Sequence, residues 1–513
     1  MTSLAHALRD AARRHGDNPA VISSAGRLSF AQFDRRSGAV AAALARQGIV
    51  KGDRVGLYCP NSESFAIAYV GILKAGAVVV PLNLMQSVEA LAFILNDAGA
   101  KALIYHDAFA APTSAIRAEV PSLGFSVCIG TAGENALNWA DMLAMTDPPP
   151  DVDFDPTEDL AAILYTSGTT GRPKGAMLTH GNLLANTGSV RRAWEWQAGQ
   201  DVVLLVLPMF HAFAATVGML TPLLAGCAFA PLPRFEPDLV AQTVFDTKAT
   251  IFLGVPSMFS VLLRLKPERV AQFESLRFCV SGGAALPVEV LHSFESRFRK
   301  KIYEGDGPTE CSPVTCVNPV GGLAKPSTVG LPVPGVEMRI VGDFGEELPS
   351  GQVGEIAVRG ANVMKGYWNL PEDTRESFRD GWFLTGDLGT EDEDGYFAIV
   401  DRKKDLIIVN GMNVYPRIIE ETLYRFPNLR EAAVVGEPHD LHGEIPVAYV
   451  ALDEQTQAGE AEIRAFCRQH LGRHEVPRRI VILKELPKTA TGKILKRELR
   501  RDGEVERGVS GLS

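Results

Sequence analysis

Tyr165-Thr166-Ser167-Gly168-Thr169-Thr170-Gly171-Arg172-Pro173-Lys174-Gly175 is a run of small hydroxyls and glycines with one lysine near its end. Glycine tolerates positive φ, and small side chains let the main chain approach closely. Such a loop can turn several N–H groups and hydroxyls toward one anion. Lys174 adds a point charge, and the combination points to a triphosphate, ATP. The apolar run Leu160–Tyr165 reads as a buried strand, and Gly181-Asn182-Leu183-Leu184 starts a helical pattern, so the loop is expected between a strand and a helix. A solvated glycine-rich turn is the alternative. The stretch is not a Walker A loop, whose lysine directly follows glycine and precedes Ser or Thr; here Lys174 follows Pro173 and precedes Gly175.

The rest of the chain sets limits around this loop. Its 513 residues exceed one typical core, so two or more domains are expected. With 46% hydrophobic and 22% charged residues it has an ordinary globular composition. A formal net charge of −10 argues against nucleic acid as the main partner. The seven cysteines are scattered without CxxC spacing and read as reduced core thiols. Arg9, Asp10, Arg13 and Arg14 interrupt the place where a secretory signal needs an apolar core, which leaves a cytoplasmic address.

From Val202 to Pro233 there is no Asp, Glu, Lys or Arg, a stretch longer than the roughly 20 residues of a membrane span. Pro208, Pro222, Pro231, Pro233, Gly218 and Gly226 divide it, so it reads as a strand (Val202–Leu207), a loop, a buried helix and a second strand. Elsewhere strands and amphipathic helices alternate. Phe65, Tyr69, Ile72 and Leu73 share a helical face, and Ala77–Leu82 follows as a buried strand. That order predicts α/β layering with largely parallel sheets. Glu337–Val341 and Gly354–Arg359 alternate polar and apolar residues, as half-exposed antiparallel strands of a β-rich subdomain do. After Val400 the cluster Asp401-Arg402-Lys403-Lys404-Asp405 precedes a compact region of strands (Ala432–Val435, Val447–Leu452, Ile480–Leu483) and helices (Arg417–Arg425, Ala461–Leu471). The fold class expected is α/β: a large N-terminal domain of layered sheets plus the β-rich subdomain, and a small C-terminal α+β domain. Residues 502–513 read as a disordered tail.

Several further segments carry groups suited to nucleotide chemistry. Gly305-Asp306-Gly307-Pro308-Thr309-Glu310 supplies tight turns, a hydroxyl and a carboxylate, although alone it would be a plain turn. Ser281-Gly282-Gly283-Ala284 follows the strand Leu276–Val280 and permits close backbone approach to a flat ligand. Asp387, in Leu384-Thr385-Gly386-Asp387-Leu388, is a two-oxygen acceptor suited to a diol. By composition Lys493, in Pro487–Ile494, is one of many exposed lysines, and His211, in Pro208-Met209-Phe210-His211-Ala212-Phe213, is a core histidine.

In register with the loop, these segments resemble the adenylate-forming superfamily of acyl-CoA synthetases, peptide-synthetase adenylation domains and beetle luciferases. The resemblance extends over nearly the whole chain. It implies a phosphate loop made of Thr166, Ser167, Gly168, Thr169, Thr170, Gly171 and Lys174. Thr309 would contact the α-phosphate, Glu310 with Thr166 would hold Mg²⁺, and Gly282, Gly283 and Ala284 would border adenine and the acyl group. Asp387 and Arg402 would bind the ribose, Lys493 would stabilise charge as a carboxylate attacks the α-phosphorus, and His211 would orient that carboxylate. Asp306 stands where relatives carry an adenine-stacking aromatic, and its role stays open, as does the adenine contact with Gly307. The domains implied are 1–400, a hinge 401–405 with Lys404 at its pivot, and a mobile C-terminal domain 406–501.

The reaction implied is acyl-AMP formation with release of pyrophosphate, then acyl transfer to CoA; no acyl-enzyme is required. Phe210, His211, Phe213, Ala214, Val217, Gly218, Val255, Pro256 and Gly282 would line the acyl pocket. No Asp stands near Ala212 to hold an α-amino group, which disfavours an amino acid. The segment Asp405–Pro416 resembles bacterial medium- and long-chain fatty acyl-CoA ligases, so a fatty acid ranks first and an aromatic or alicyclic acid second. Gly411 would admit pantetheine, and Arg473, Arg478, Arg479, Lys496, Arg497, Arg500 and Arg501 form a basic set for the CoA phosphates or a solvated face. An acyl carrier protein as acceptor, a homodimer, peripheral membrane contact and a luciferase-like monooxygenase are compatible with the resemblance. A catalytically silent module would have lost Lys493, Glu310 or the loop.

Overall fold

The structure is a computed structural model that describes residues 2–133, 135–167, 172–453, 456, 458–489, 492 and 494–500, with the backbone alone at Ser167. Gly168, Thr169, Thr170, Gly171, Lys493, Arg501 and the tail 502–513 therefore lie outside the described residues.

Two large sheets carry the N-terminal part. In the first, Leu160–Ser167, Val78–Pro81, Arg54–Tyr58, Ala102–His106, Phe125–Ile129 and Leu137–Asn138 run parallel, with Pro173–Thr179 and Gly366–Tyr367 added antiparallel at one edge. In the second, Ile302–Asp306, Phe278–Ser281, Ile251–Gly254, Val202–Leu205, Ala228–Pro231 and Pro19–Ser23 run parallel, flanked by short antiparallel edges. The strands are apolar on both faces because helices cover both sides. One hydrophobic cluster runs from the first sheet through the helices Phe30–Arg46 and Glu63–Lys74 into the second.

The helix Glu63–Lys74 forms as its spacing predicts. Ser62 caps it by accepting from Phe65 N, and Phe65, Tyr69, Ile72 and Leu73 are all buried. Its last residue, Lys74, is buried as well, and stays there because Asp34 Oδ1 at 2.5 Å, Asp34 O at 2.9 Å and Ser37 Oγ at 2.8 Å satisfy its ammonium. The charge-free stretch breaks up as expected into the strand Val202–Leu205, a loop, a π-helical turn Ala214–Leu220 continuing into Thr221–Ala225, and the strand Ala228–Pro231. Among the described residues no helix is long and apolar enough to cross a membrane. All seven cysteines are buried and unpaired, and burial raises the thiols of Cys59 and Cys227 to about 12 and that of Cys467 to about 11.

Val336–Val341, Gly354–Gly360, Trp382–Glu391, Phe378–Arg379 and Phe397–Arg402 form the expected antiparallel sheet. Beyond it lies a smaller α+β unit in which Met412–Val414, Ile407–Val409, Gly443–Leu452, Leu429–His439 and Arg479–Leu483 share one sheet, packed by the helices Pro416–Tyr424 and Glu460–His470 around its own core.

The helix His180–Ala193 begins where the pattern from Gly181 places it, but the sequence reading lacks one element: between the loop and this helix the chain returns as the strand Pro173–Thr179, paired antiparallel with Leu160–Ser167. Ala176 and Leu178 give this strand its buried face, and a capping box between Thr179 and Asn182 starts the helix where the strand ends.

Candidate active site

Four segments singled out in the sequence follow the carboxyl ends of four neighbouring parallel strands of the second sheet. They are Phe210–Phe213 after Val202–Leu205, Val255–Ser257 after Ile251–Gly254, Gly282–Ala284 after Phe278–Ser281, and Gly307–Glu310 after Ile302–Asp306. Carboxyl ends of parallel strands are where α/β sheets bind ligands, because loops there converge without blocking the sheet hydrogen bonds. Gly282 sits against Phe213 and Gly305: a Cβ there would lie 3.2 Å from the Phe213 ring and 3.4 Å from Gly305 O. Gly283 faces Val255 at 3.9 Å in the same way. Ala284 is half-buried beside them.

The acyl-side residues divide. Phe210 and Phe213 are half-buried, Val255 is nearly buried, and Ala214 and Val217 are completely buried. At Gly218 a Cβ would meet Leu205 Cδ1 at 2.3 Å, so this glycine lets the π-helical turn close on the strand Val202–Leu205. His211 is exposed, which removes the reading of it as a core histidine.

The hairpin that carries the glycine-rich loop is closed by a segment the sequence did not reveal. Thr166 lies opposite Lys174 in the ladder, and Tyr367 of the edge strand Gly366–Tyr367 pairs with Ala176. Lys174 Nζ is ion-paired with Asp373 and lies 5.4 Å from the centroid of the Tyr367 ring. The Tyr367 hydroxyl donates to Glu310 Oε1 at 2.8 Å, and Met364 N donates to Glu310 O at 2.7 Å. Burial and the neighbouring Glu310 raise the Tyr367 phenol well above its ordinary value, so it remains a donor. On the other flank Tyr165 Oη donates to Asp97 Oδ2 at 2.5 Å, while Trp368 Nε1 donates to Asp97 O at 2.9 Å. Lys174, Tyr367, Glu310 and Asp373 are thus brought together across the chain.

Thr309 and Glu310 stand in a 3-10 turn, Thr309–Cys311, whose backbone is tightly fixed. Just before it Gly307 is needed because a Cβ would lie 1.7 Å from Pro313 O and 2.9 Å from Thr315 N, both backbone atoms. Asn186, completely buried on the helix His180–Ala193, brackets Val314 by donating to its O at 2.7 Å and accepting from its N at 3.2 Å. Asp306 ends its strand half-buried, and its carbonyl accepts from Thr315 N at 3.0 Å.

Asp387 and Arg402, expected on the ribose, are partners here. Arg402 Nε lies 3.1 Å from Asp387 Oδ1, and Asp387 is nearly buried. Asp306, Asp405 and Glu310 add to the negative field around the guanidinium. Lys404 is exposed in a single turn, Lys403–Asp405. Gly411 sits at φ 78° beside Asn410 at φ 51° in the tight turn between Ile407–Val409 and Met412–Val414, with open space around it. Of the basic set considered for CoA, Arg479 pairs with Glu437, Lys496 with Glu420 at 2.7 Å and Arg500 with Asp405 at 3.1 Å, while Arg473, Arg478 and Arg497 are exposed. Gly492, just before Lys493, reaches the acyl side: its carbonyl accepts from Ser257 Oγ at 3.3 Å, and a Cβ on it would lie 3.3 Å from Val255 Cγ2.

A buried carboxylate completes the site. Glu304, on the strand leading to Asp306, accepts from Leu286 N at 2.9 Å, and burial raises its acid to about 7 against the favourable charge of Arg417. It therefore ties the Gly282–Ala284 loop to the Asp306–Glu310 loop. Only its place in the buried half of the short strand Ile302–Asp306, next to Ile302 and Tyr303, hinted at this in the sequence.

Residues 8–368 match the model of the AMP-binding enzyme family, and residues 418–493 match that of the AMP-binding enzyme C-terminal domain. A long-chain-fatty-acid–CoA ligase of Bacillus subtilis (strain 168) is 36% identical over 527 residues, covering 96% of this chain and 93% of the relative. A feruloyl-CoA synthase of an Amycolatopsis species is 38% identical over 479 residues, covering 92% and 94%. The crystal structure of ATP-bound MatB from Rhodopseudomonas palustris superposes with a TM-score of 0.90 at 33% identity, covering 98% of this chain and 99% of that one. With the loops gathered at the strand ends and both family models matched in order, the chain belongs to the AMP-binding enzyme family.

Proposed function

We propose that this AMP-forming acid–CoA ligase activates a medium- or long-chain fatty acid. The observation that carries the chemistry is the chain of contacts Asp373–Lys174–Tyr367–Glu310 at the mouth of the glycine-rich hairpin. A triphosphate entering there meets a lysine, a fixed carboxylate and the Thr166 ladder position together. Attack of the substrate carboxylate on the α-phosphorus builds negative charge. Lys493, carried beside Gly492 from the C-terminal domain, is the cation assigned to it, with Thr309 as a hydroxyl contact. Asp387 and Arg402 hold the ribose once the nucleotide competes for their mutual ion pair. His211, exposed at the acyl entrance, orients the carboxylate.

Glu310 fits a magnesium ion, because a carboxylate steadied by one hydrogen bond is a hard oxygen donor. Glu310 and Thr166 would hold the ion, which supplies charge neutralisation for the pyrophosphate leaving group.

The domain assignment, 1–400 and 406–501 about the hinge 401–405, is supported by the single turn Lys403–Asp405 between two separately packed cores. After adenylate formation the C-terminal domain turns about Lys404 and brings Gly411 to the site, where the CoA thiolate attacks the acyl carbonyl and AMP leaves. Phe210, Phe213, Ala214 and Val255 give the acyl side an apolar wall without a carboxylate, which favours a fatty acid. The similarity to a feruloyl-CoA synthase favours an aromatic acid as the second reading.

Incubation with Mg-ATP and a mixed carboxylic acid panel, with and without CoA, followed by mass spectrometry tests both. Fatty acyl-CoA formed only with CoA is the expected result. Aromatic acyl-CoA alone would select the second reading, and acyl-AMP that persists despite CoA would move the acceptor to a carrier-protein thiol.

A further inference from the structure

The helix Val88–Ala98 carries Asp97 in its last turn, where the helix dipole is negative and an acid is the wrong charge. Helix stability therefore does not account for this residue. The terminus is offset from outside: Arg54, on the strand Arg54–Tyr58, donates from Nε to Ala98 O at 2.5 Å and from Nη2 to Gly99 O at 3.0 Å. Asp97 itself receives donors from two remote segments. Tyr165 Oη donates to its Oδ2 at 2.5 Å, while Trp368 Nε1 at 2.9 Å and Asn369 Nδ2 at 3.3 Å donate to its backbone O. The Arg54 guanidinium also lies 5.4 Å from the centroid of the Trp368 ring.

Both segments border the glycine-rich hairpin. Tyr165 directly precedes Thr166 and stands opposite Gly175 in the ladder. A Cβ on Gly175 would lie 2.7 Å from Ile163 Cγ2 and 3.1 Å from Tyr165 Cζ, so the bare glycine leaves the ring room to lie across the hairpin. Burial and the bond to Asp97 raise the Tyr165 phenol well above its ordinary value, so it stays a donor. From the other side Trp368 N donates to Gly175 O at 2.8 Å, and the preceding residue, Tyr367, holds Glu310 through its hydroxyl. One residue thus grips the strand that enters the loop and the segment that braces Glu310.

We propose that Asp97 is a positioning residue for the triphosphate: its carboxylate fixes Tyr165 and its carbonyl fixes Trp368, which sets the spacing of Thr166 and Lys174 from Glu310. This rests on the reading, proposed above, that the hairpin receives the triphosphate. Without the tie, the hairpin and the Tyr367–Trp368 segment shift independently, and the polyphosphate meets its lysine and its carboxylate out of register. Finished acyl-AMP has lost pyrophosphate, so acyl transfer does not depend on this spacing.

The test separates the half-reactions in the full-length enzyme. Acyl-AMP formation is read by ATP–pyrophosphate exchange, and acyl transfer by CoA thioester formation from supplied acyl-AMP. Tyr165→Phe keeps the ring and removes the hydroxyl; it should raise KM for Mg-ATP in exchange by about tenfold, with KM for the acid and the rate of acyl transfer changed by less than about twofold. Asp97→Ala should show the same split, and Asp97→Asn, which keeps an acceptor oxygen, should recover part of the loss. The double variant Tyr165→Phe with Asp97→Ala should be little worse than Asp97→Ala, since both act through one contact. An unchanged KM for Mg-ATP, equal losses in both half-reactions, or additive losses in the double variant would overturn the proposal. Should Asp97→Ala fail to fold, Tyr165→Phe and Asp97→Asn carry the same comparison. Lys174→Ala is the reference: if it leaves KM for Mg-ATP unchanged, the hairpin reading falls and takes the tie with it. If it raises that KM while the Tyr165 and Asp97 variants do not, the tie alone falls.

Discussion

Gly307→Ala tests the geometry of the site most directly. The added methyl would sit 1.7 Å from Pro313 O, 2.7 Å from Pro313 C and 2.9 Å from Thr315 N, all backbone atoms that cannot rotate away. Reaching ordinary contact requires the Pro313–Thr315 segment to move by more than an ångström. That movement strains the two hydrogen bonds between Asn186 and Val314 and the one from Thr315 N to Asp306 O. Net losses near 1 kcal/mol for each strained bond, with 1–3 kcal/mol more if buried Asn186 is left unsatisfied, put the local cost at about 3–6 kcal/mol. The same shift displaces Thr309 and Glu310, and misplacement on this scale costs roughly 100-fold in rate. We expect kcat/KM for ATP–pyrophosphate exchange to fall by about that factor and the melting temperature to fall by a few degrees. Gly188→Ala is the control. It lies inside the helix His180–Ala193, where a Cβ meets nothing closer than the end of the Arg192 side chain at 3.4 Å, and it should stabilise by about 0.5–1 kcal/mol with activity unchanged. A Gly307→Ala enzyme within about twofold of wild type in exchange, with an unchanged melting temperature, would refute the reasoning.

Tyr367→Phe removes the hydroxyl that steadies Glu310; a hydrogen bond to a charged group is worth about 1.5–3 kcal/mol, so adenylate formation should drop at least tenfold and the magnesium concentration for half-maximal exchange should rise, with little change in melting temperature. Lys493→Ala should slow adenylate formation by orders of magnitude while acyl transfer from supplied acyl-AMP persists, measured by the same two assays. His180 is completely buried, neither ring nitrogen has a protein partner, and burial lowers its pKa to about 4. The unfolded chain binds its proton at about 6.5, so the unfolded state holds more protons between those values and stability is lost as pH falls through that window, by up to roughly 3 kcal/mol. His180→Leu should flatten this acid limb in urea titrations at stepped pH, and an unchanged slope would show that His180 does not set it.

Periodicity made the framework legible. The face Phe65, Tyr69, Ile72 and Leu73 and the polar–apolar alternation of Glu337–Val341 and Gly354–Arg359 are local signals, and the structure places all three as read. The return strand Pro173–Thr179 was hidden because Gly171, Pro173 and Gly175 look like continued loop, and its buried face shows only against Ile163 and Leu164. Contacts distant in sequence were equally hidden. Asp373 lies 199 residues from Lys174 and Tyr367 lies 57 from Glu310, so no spacing announces either pair. Glu304 carried a weak signal, an acid beside Ile302 and Tyr303 in a short strand, whose meaning depends on Leu286 arriving from elsewhere. The basic C-terminal set looked uniform in the sequence, whereas folding commits Arg479, Lys496 and Arg500 to carboxylates and leaves others at the surface.

The seven buried cysteines have a consequence for how such a catalyst survives its own product. A mixed anhydride of AMP is an acylating reagent, and its natural victim is any exposed thiolate. Here every native thiol is shut inside the protein, and those of Cys59, Cys227 and Cys467 are held protonated near neutrality. The invited thiol therefore meets no rival on the enzyme itself. The same seclusion makes the wild-type chain a ready background for site-selective labelling: one cysteine introduced at exposed Phe344 and another at exposed Leu441 would accept a dye pair without prior removal of the native seven, and the distance between them would report whether the smaller unit turns during the reaction.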